Sequence, residues 1–316
     1  MQATSKTKKI LNLFLANPRG FCAGVERAIA IVERALEKFG PPIYIKHEIV
    51  HNKYVVESLQ AKGAVFVDDI AEIPQGAITI YSAHGVSKQV EYDSEKKAAQ
   101  IFDATCPLVK KVHNRVVSLA KEHKEIILIG HAGHPEVEGT SGRIEQKVIL
   151  IENKEQAKNI QVTNPENLAY TTQTTLSIDD TKEIIDILKS KFPKINEPQT
   201  ADICYATQNR QNAVKNLVNK VDLLLVIGSK NSSNSNRLRD IGIENNIKSY
   251  LISGKEEIEL AWFNNCTNIA ITAGASAPEN LVDELINYLK INFLVNITQI
   301  NGTKENIIFN LPKELR

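Results

Sequence analysis

Three cysteines occupy matching places in the chain. Cys22 in "NPRGFCAGV", Cys106 in "DATCPLVKKV" and Cys204 in "DICYATQNRQ" each stand directly ahead of a run whose apolar residues recur at helical spacing. Pro107 follows Cys106 in the position where proline suits a first helical turn. The start of a helix offers unpaired N–H groups and the positive end of the dipole, and both favour a thiolate over a thiol. One such cysteine is ordinary packing, but three at equivalent places point to joint metal ligation with one ligand from each repeat. Three sulfur ligands also leave one metal position for water or substrate, where a structural zinc or a closed iron–sulfur cluster takes four. The wide spacing, without any CxxC pair, disfavours a zinc ribbon or a ferredoxin-type run. Cys266, in "FNNCTNIAIT", stands at the amino end of a strand and is expected to be a small buried residue.

The elements around these cysteines repeat. After each cysteine-led helix comes a strand ending in a polar loop: "IYIKHEIVHN", "IILIGHAGHP" and "LLLVIGSKNSSNS". A second strand follows, "AVFVDD", "VILIEN" and "SYLISG", and then a third that ends in another polar loop: "ITIYSAHGVS", "LAYTTQTTLS" and "IAITAGASAP". The order recurs three times with a period of about ninety residues. Strands alternating with helices at this spacing predict parallel β-α units with right-handed crossovers. The chain therefore reads as three small α/β domains with mainly parallel sheets, related by a pseudo-threefold arrangement. They are expected over residues 1–106, 107–201 and 202–291, with a C-terminal tail over 292–316. Ligands bind outside the carboxyl ends of parallel strands. All six polar loops lie at such ends and are rich in His, Thr and Ser where ordinary turns favour Gly, Pro, Asn and Asp, so they are expected to face one central cavity.

Composition narrows the functions available. At 316 residues with 42% hydrophobic content the chain can bury a large core, and 38 Lys plus Arg against 37 Asp plus Glu leave a net charge of +1. That balance gives no global field for gripping nucleic acid or an anionic membrane, so an anionic partner must be held locally. No helix-turn-helix, basic stripe or zinc-finger spacing supports nucleic-acid binding. The longest apolar runs fall far short of the roughly 18 residues that span a bilayer. The N-terminus, with lysines ahead of "ILNLFLA", superficially resembles a secretory signal, but Asn12 interrupts the short apolar stretch and a first core strand accounts for it better. Four cysteines without an export signal fit the reducing cytosol, where thiols stay free.

Nine segments in order, "NPRGFCAGV", "HEIVHN", "SAHGVS", "DATCPLV", "GHAGHPEVEGT", "TQTTLS", "DICYAT", "GSKNSSNSNRL" and "TAGASAP", closely resemble those of the LytB/IspH family of 4-hydroxy-3-methylbut-2-enyl diphosphate reductases. The resemblance runs from about residue 10 to the closing "PKELR", and its departures, such as Gln208 after "CYAT", lie at variable places. It implies three α/β domains around a central cavity, and a 4Fe-4S cluster on Cys22, Cys106 and Cys204 whose apical iron has no protein ligand. It implies substrate-binding roles for His51, His84, His134, Glu136, Thr174, Ser232, Ser233, Asn234 and Ser276. The implied reaction is the last step of the methylerythritol phosphate route, forming isopentenyl and dimethylallyl diphosphates.

The residue types suit that chemistry. Reductive removal of an allylic hydroxyl needs two electrons, two protons and an acid that turns hydroxide into water; an open iron binds the oxygen as a Lewis acid while the cluster delivers electrons. Glu136, two residues beyond His134 in a polar loop, is the candidate general acid, with Thr174 orienting the hydroxyl or relaying its proton. His51, His84, Ser232, Asn234 and Ser276 offer donors for a diphosphate beside helix N-termini. His47, His113 and His123 lack that placement and are expected to be structural. No GxGxxG follows a strand with a ribose-binding acid downstream, so electrons are expected from an external ferredoxin or flavodoxin. Two other classes use the same residues: a non-catalytic regulator that grips a diphosphate effector, and a zinc hydrolase with Glu136 as base. Optical absorption near 400 nm separates an iron–sulfur protein from a colourless zinc protein.

Overall fold

The structure is a computed structural model that describes residues 8–316. The signal-like reading of the N-terminus falls partly on residues 1–7, which lie outside the described residues. The elements run β1 (Ile10–Leu15), α1 (Ala23–Phe39), β2 (Ile43–Lys46), α2 (Lys53–Ala61), β3 (Ala64–Val67), β4 (Ile78–Tyr81), α3 (Lys88–Lys97) and β5 (Gln100–Asp103). They continue through α4 (Pro107–Lys121), β6 (Glu125–Ile129), α5 (Pro135–Ser141), β7 (Ile149–Ile151), α6 (Lys154–Asn159), β8 (Leu168–Thr172) and α7 (Ile178–Lys191). The last third holds α8 (Tyr205–Lys215), β9 (Leu223–Ile227), α9 (Ser233–Glu244), β10 (Lys248–Ile252), β11 (Asn268–Ala273), α10 (Glu279–Asn292) and β12 (Leu294–Gln299). Every ladder pairing among these strands is parallel, so the molecule is α/β with three parallel sheets, as the alternation of strands and helices predicts. Among the described residues, no helix is long and apolar enough to cross a membrane.

The sheets share one plan. Their orders are β3-β2-β4-β5, β7-β6-β8 and β10-β9-β11-β1-β12. In each, the first strand after a cysteine-led helix is central, flanked by the second strand on one side and the third on the other. A further segment lies beside the third strand and leads into the next cysteine: β5 before Cys106, an isolated bridge from Asn196 to Ala169 before Cys204, and β1 before Cys22. Thus β1, which the repeat reading groups with residues 1–106, pairs with β11 and β12. The residues 292–316, read as a tail, contribute β12 to the same sheet. Sequence periodicity fixes which segments are strands but carries no information about which neighbour a strand joins; the pairing is a long-range contact.

Chain contacts divide the protein into two compact units. The first, which among the described residues covers 8–22, 51–54 and 208–306, contains the five-stranded sheet. One face packs Leu13, Leu225 and Ile271 against Val282, Leu285 and Leu289 of α10, and the other packs Leu224, Val226 and Ala270 against Val214 of α8 and Leu238 and Ile241 of α9. Both faces are covered, and all five residues of β9, "LLLVI", are buried, the continuous apolar run expected of an interior parallel strand. Asn12, the polar residue inside β1, stands in register with Asn268 and Asn296. Its amide donates to Asn268 Oδ1 at 2.9 Å and accepts from Asn296 Nδ2 at 3.1 Å, an amide ladder across three strands that suits a sheet.

The second unit, residues 23–50, 55–207 and 307–316, holds the other two sheets. Ile43, Ile45, Ile80 and Phe102 are buried in the four-stranded sheet, and Ile127, Ile129 and Tyr170 of the three-stranded one pack on Ile184 and Leu188 of α7. His113 on α4 is buried, and burial, aided by the Arg143 charge, pushes its pKa down to about 4, so it stays neutral in the interior. His47 lies between Lys46 Nζ at 2.8 Å and Asp68 Oδ1 at 3.1 Å. His123 takes a left-handed φ of 56° just beyond α4.

Candidate active site

Each of the three repeated cysteines stands where the sequence predicts, immediately before α1, α4 and α8. Cys106 is the N-cap of α4, with proline next and no side-chain cap hydrogen bond. Cys204 caps α8 with its own sulfur: the Thr207 N–H donates to Sγ at 3.4 Å, and the Thr207 hydroxyl lies 3.2 Å from it. All three are partly exposed, whereas Cys266 is buried with burial pushing its thiol pKa up. Donor chemistry therefore distinguishes the three from the fourth: sulfur at a helix N-terminus takes up negative charge readily, and sulfur sealed in an apolar core does not. Among the described residues no three His, Cys, Asp or Glu side chains are grouped closely enough to hold a metal ion.

One backbone contact recurs at all three. The Cys22 N–H donates to Ala275 O at 3.2 Å, that of Cys106 to Ala83 O at 3.0 Å, and that of Cys204 to Thr174 O at 3.0 Å. Each acceptor lies in the loop after the third strand of a sheet, beside or at a predicted substrate residue: Ser276, His84 and Thr174. The contact follows from topology, since the segment entering each cysteine runs parallel to that third strand and ends level with it.

The first unit gathers His51, Ser232, Ser233, Asn234 and Ser276. The Ser276 hydroxyl donates to His51 O at 2.9 Å, and Asn231 Nδ2 lies 3.3 Å from His51 Nδ1. Ser232 caps α9, accepting from Ser235 N–H at 3.3 Å, and Ser233 opens the helix. Gly274 makes this approach possible, because a Cβ there would meet Ser235 Oγ at 2.0 Å. Asn234 is 3% exposed, and neither its amide nitrogen nor its amide oxygen has a hydrogen-bond partner. Sealing an amide from water without partners is costly, and a polar ligand at this helix start would repair it.

The second unit gathers His84, His134, Glu136 and Thr174. The rings of His84 and His134 meet edge to face with centroids 5.8 Å apart. His134 is the N-cap of α5, its Nδ1 accepting from Glu136 N–H at 3.1 Å. Glu136 is 2% exposed; its Oε1 accepts from Thr174 N–H at 2.6 Å, and its Oε2 lies 3.0 Å from Thr174 Oγ1. Burial pushes the carboxyl up from 4.5 to about 7, the two contacts with Thr174 pull it back, and the nearby Asp202 charge adds to the rise. A carboxyl poised there holds a proton near neutrality and can release it, as a general acid must.

Asp202, Thr207 and Asn231 lie within the quoted motifs, yet the sequence gives them no role. Asp202 is buried, accepts from Thr171 Oγ1 at 2.7 Å and Thr172 N–H at 3.2 Å, and pairs with Lys111 at 3.4 Å. It fastens the segment entering Cys204 to the end of β8. Its place two residues before Cys204 is the one available signal, and it does not reveal these partners.

The LytB protein family model matches residues 13–290. A 4-hydroxy-3-methylbut-2-enyl diphosphate reductase of Ectopseudomonas mendocina is 54% identical over 310 residues, covering 97% of this chain and 99% of that protein. A solved structure of the E-1-hydroxy-2-methyl-but-2-enyl-4-diphosphate reductase from Plasmodium falciparum superposes with a TM-score of 0.90 at 39% identity, covering 98% of this chain and 97% of that one. Another, described as (E)-4-hydroxy-3-methyl-but-2-enyl diphosphate reductase, the terminal enzyme of the non-mevalonate pathway, gives a TM-score of 0.63 at 32% identity over 89% of this chain and 99% of that one. With the family model spanning most of its length and a relative this similar from end to end, the chain belongs to the LytB protein family.

Proposed function

We propose that this protein is an iron–sulfur reductase that converts (E)-4-hydroxy-3-methylbut-2-enyl diphosphate into isopentenyl and dimethylallyl diphosphates. The observation that carries the reading is the threefold contact of a cysteine N–H with a loop bearing a substrate residue. Cys22, Cys106 and Cys204 are the sulfur donors for a 4Fe-4S cluster, which, when bound, supplies two electrons one at a time and an iron without a protein ligand. In the overall reaction the allylic C–O bond breaks, the oxygen leaves as water with two hydrogens, one of them the hydroxyl's own, and the carbon skeleton takes up two electrons and one proton.

The remaining work falls to this chain's side chains. Glu136, protonated near neutrality, gives its proton to the departing hydroxyl, and Thr174 orients that hydroxyl while holding the carboxyl in place. His134 fixes the backbone of Glu136. His51, Ser232, Ser233, Asn234 and Ser276 receive the diphosphate with His84, and the amide of Asn234 gains the partners it otherwise lacks. Electrons come from a ferredoxin- or flavodoxin-type donor, and four cysteines that form no disulfide fit a cytoplasmic setting. Iron and sulfide analysis with turnover of the allylic diphosphate under strict anaerobiosis tests the reading. Four irons per chain and substrate-dependent reductant oxidation are expected; a zinc-loaded, colourless and inactive protein refutes it.

A further inference from the structure

Arg210 on α8 is completely buried, with no exposed side-chain surface. Its Nε and Nη2 donate to Gly20 O at 3.0 and 2.8 Å, and Nη2 also reaches Phe21 O at 3.1 Å. Its charge is met by Glu305, whose carboxylate lies 3.1 and 3.3 Å from Nη1 and 3.3 Å from Nη2, and which also accepts from Asn209 Nδ2 at 2.9 Å. Gly20 and Phe21 are the two residues before Cys22. On their other side, Gly20 N–H donates to Ala273 O at 3.1 Å and Cys22 N–H to Ala275 O at 3.2 Å. The backbone that carries the Cys22 sulfur is thus pinned through its carbonyls by one buried guanidinium and through its N–H groups by the end of β11 and the loop that follows it.

Glu305 is brought there by the stretch after β12. Ile300 N–H donates to Leu15 O at 3.0 Å, and at residue 302 the chain lies so close to Asn17 that a Cβ on Gly302 would meet its carbonyl oxygen at 1.7 Å. This stretch lies beyond the part of the chain that the family model matches. We propose that Arg210 and Glu305 form a brace, closed by the C-terminal segment, that positions Cys22 for ligation. The proposal rests on the reading of Cys22 as a cluster ligand. Five guanidinium donors in a fixed fork suit two carbonyls and a carboxylate at once. A ligand's supporting shell matters because small displacements weaken metal binding, and losing such a partner typically lowers affinity about 10- to 100-fold.

Two measurements on the full-length protein test the brace, on Glu305→Gln and Arg210→Lys variants beside Cys22→Ser. In the metal-free protein, amide hydrogen exchange at residues 20–22 is expected to rise about tenfold or more in both brace variants, confined to residues 17–22 and 300–306, because each leaves a buried charge or carbonyl without its partner. In the anaerobically reconstituted protein, iron loss to a chelator is expected to accelerate by a similar factor. Unchanged exchange at 20–22 in a folded Glu305→Gln protein overturns the brace, as does faster exchange spread evenly through β9 and β11, which would make the pair a core element and nothing more. Retention of a full iron complement by Cys22→Ser instead sinks the ligand reading, and leaves the exchange result to judge the brace by itself.

Discussion

Replacing Glu136 by Gln keeps the shape and the acceptor for the Thr174 N–H but removes both the charge and the transferable proton. The carboxyl is raised from 4.5 to about 7, mainly by burial. At about 1.4 kcal/mol per pH unit this displacement is worth about 3 kcal/mol. The sign follows from proton binding: between about 4.5 and 7 the unfolded chain has lost the proton while the folded chain keeps it, so stability falls as pH rises through that window. The Gln variant has no such group. Urea unfolding of the metal-free proteins at a series of pH values from 4.5 to 7.5 should therefore show wild type losing about 3 kcal/mol relative to the variant. Turnover provides the second readout, because general acid catalysis is worth about 10²- to 10⁴-fold; kcat should drop at least to the lower end of that range while diphosphate affinity measured by calorimetry changes little. The wild-type rate should also decline as pH rises through about 7. Parallel stability curves for the two proteins would show that Glu136 does not titrate in this range, and a near-normal kcat in the variant would remove it as proton donor.

Replacing Cys22, Cys106 or Cys204 by Ser should abolish iron incorporation, while Cys266→Ala, whose sulfur is buried and only donates weakly to Trp262 O, should leave iron content intact; iron analysis reads both. Asn234→Ala should weaken diphosphate binding by roughly 1–3 kcal/mol through lost hydrogen bonds, yet thermal unfolding of the metal-free protein should show no comparable loss, because the amide bonds to no protein group; a large fall in melting temperature would mean that Asn234 has structural partners. Leu13→Ala, at a fully buried position of β1 between β11 and β12, should cost about 2–5 kcal/mol in denaturant unfolding, and a neutral result would count against β1 as a core strand.

Much of the architecture is local and so can be read along the chain. Each of the three repeated cysteines can be read as preceding a helix because apolar spacing, and at Cys106 a following proline, marks the helix start within a few residues, and the strands of the repeat announce themselves as short β-branched runs. The buried Cys266 and His113 are legible for the same reason: their immediate neighbours already place them just ahead of a strand and within a helix. The pairing of Glu136 with Thr174 is half legible, since their polar loops can be picked out but the distance between them cannot.

What only the tertiary structure decides are contacts between residues far apart in sequence. Asn12 reads as an interruption of an apolar run until β11 and β12 set Asn268 and Asn296 beside it. β1 completes a sheet built almost entirely from residues beyond 220, and β12 emerges from a stretch that reads as a tail. The raised pKa of Glu136 comes from burial, and burial is a property of the packed chain rather than of "GHPEVEG". Arg210 and Glu305 are ordinary charged residues in the sequence; they meet behind Cys22 because a guanidinium taken out of water must find acceptors, and folding supplies two adjacent carbonyls and a carboxylate from two other, distant parts of the chain.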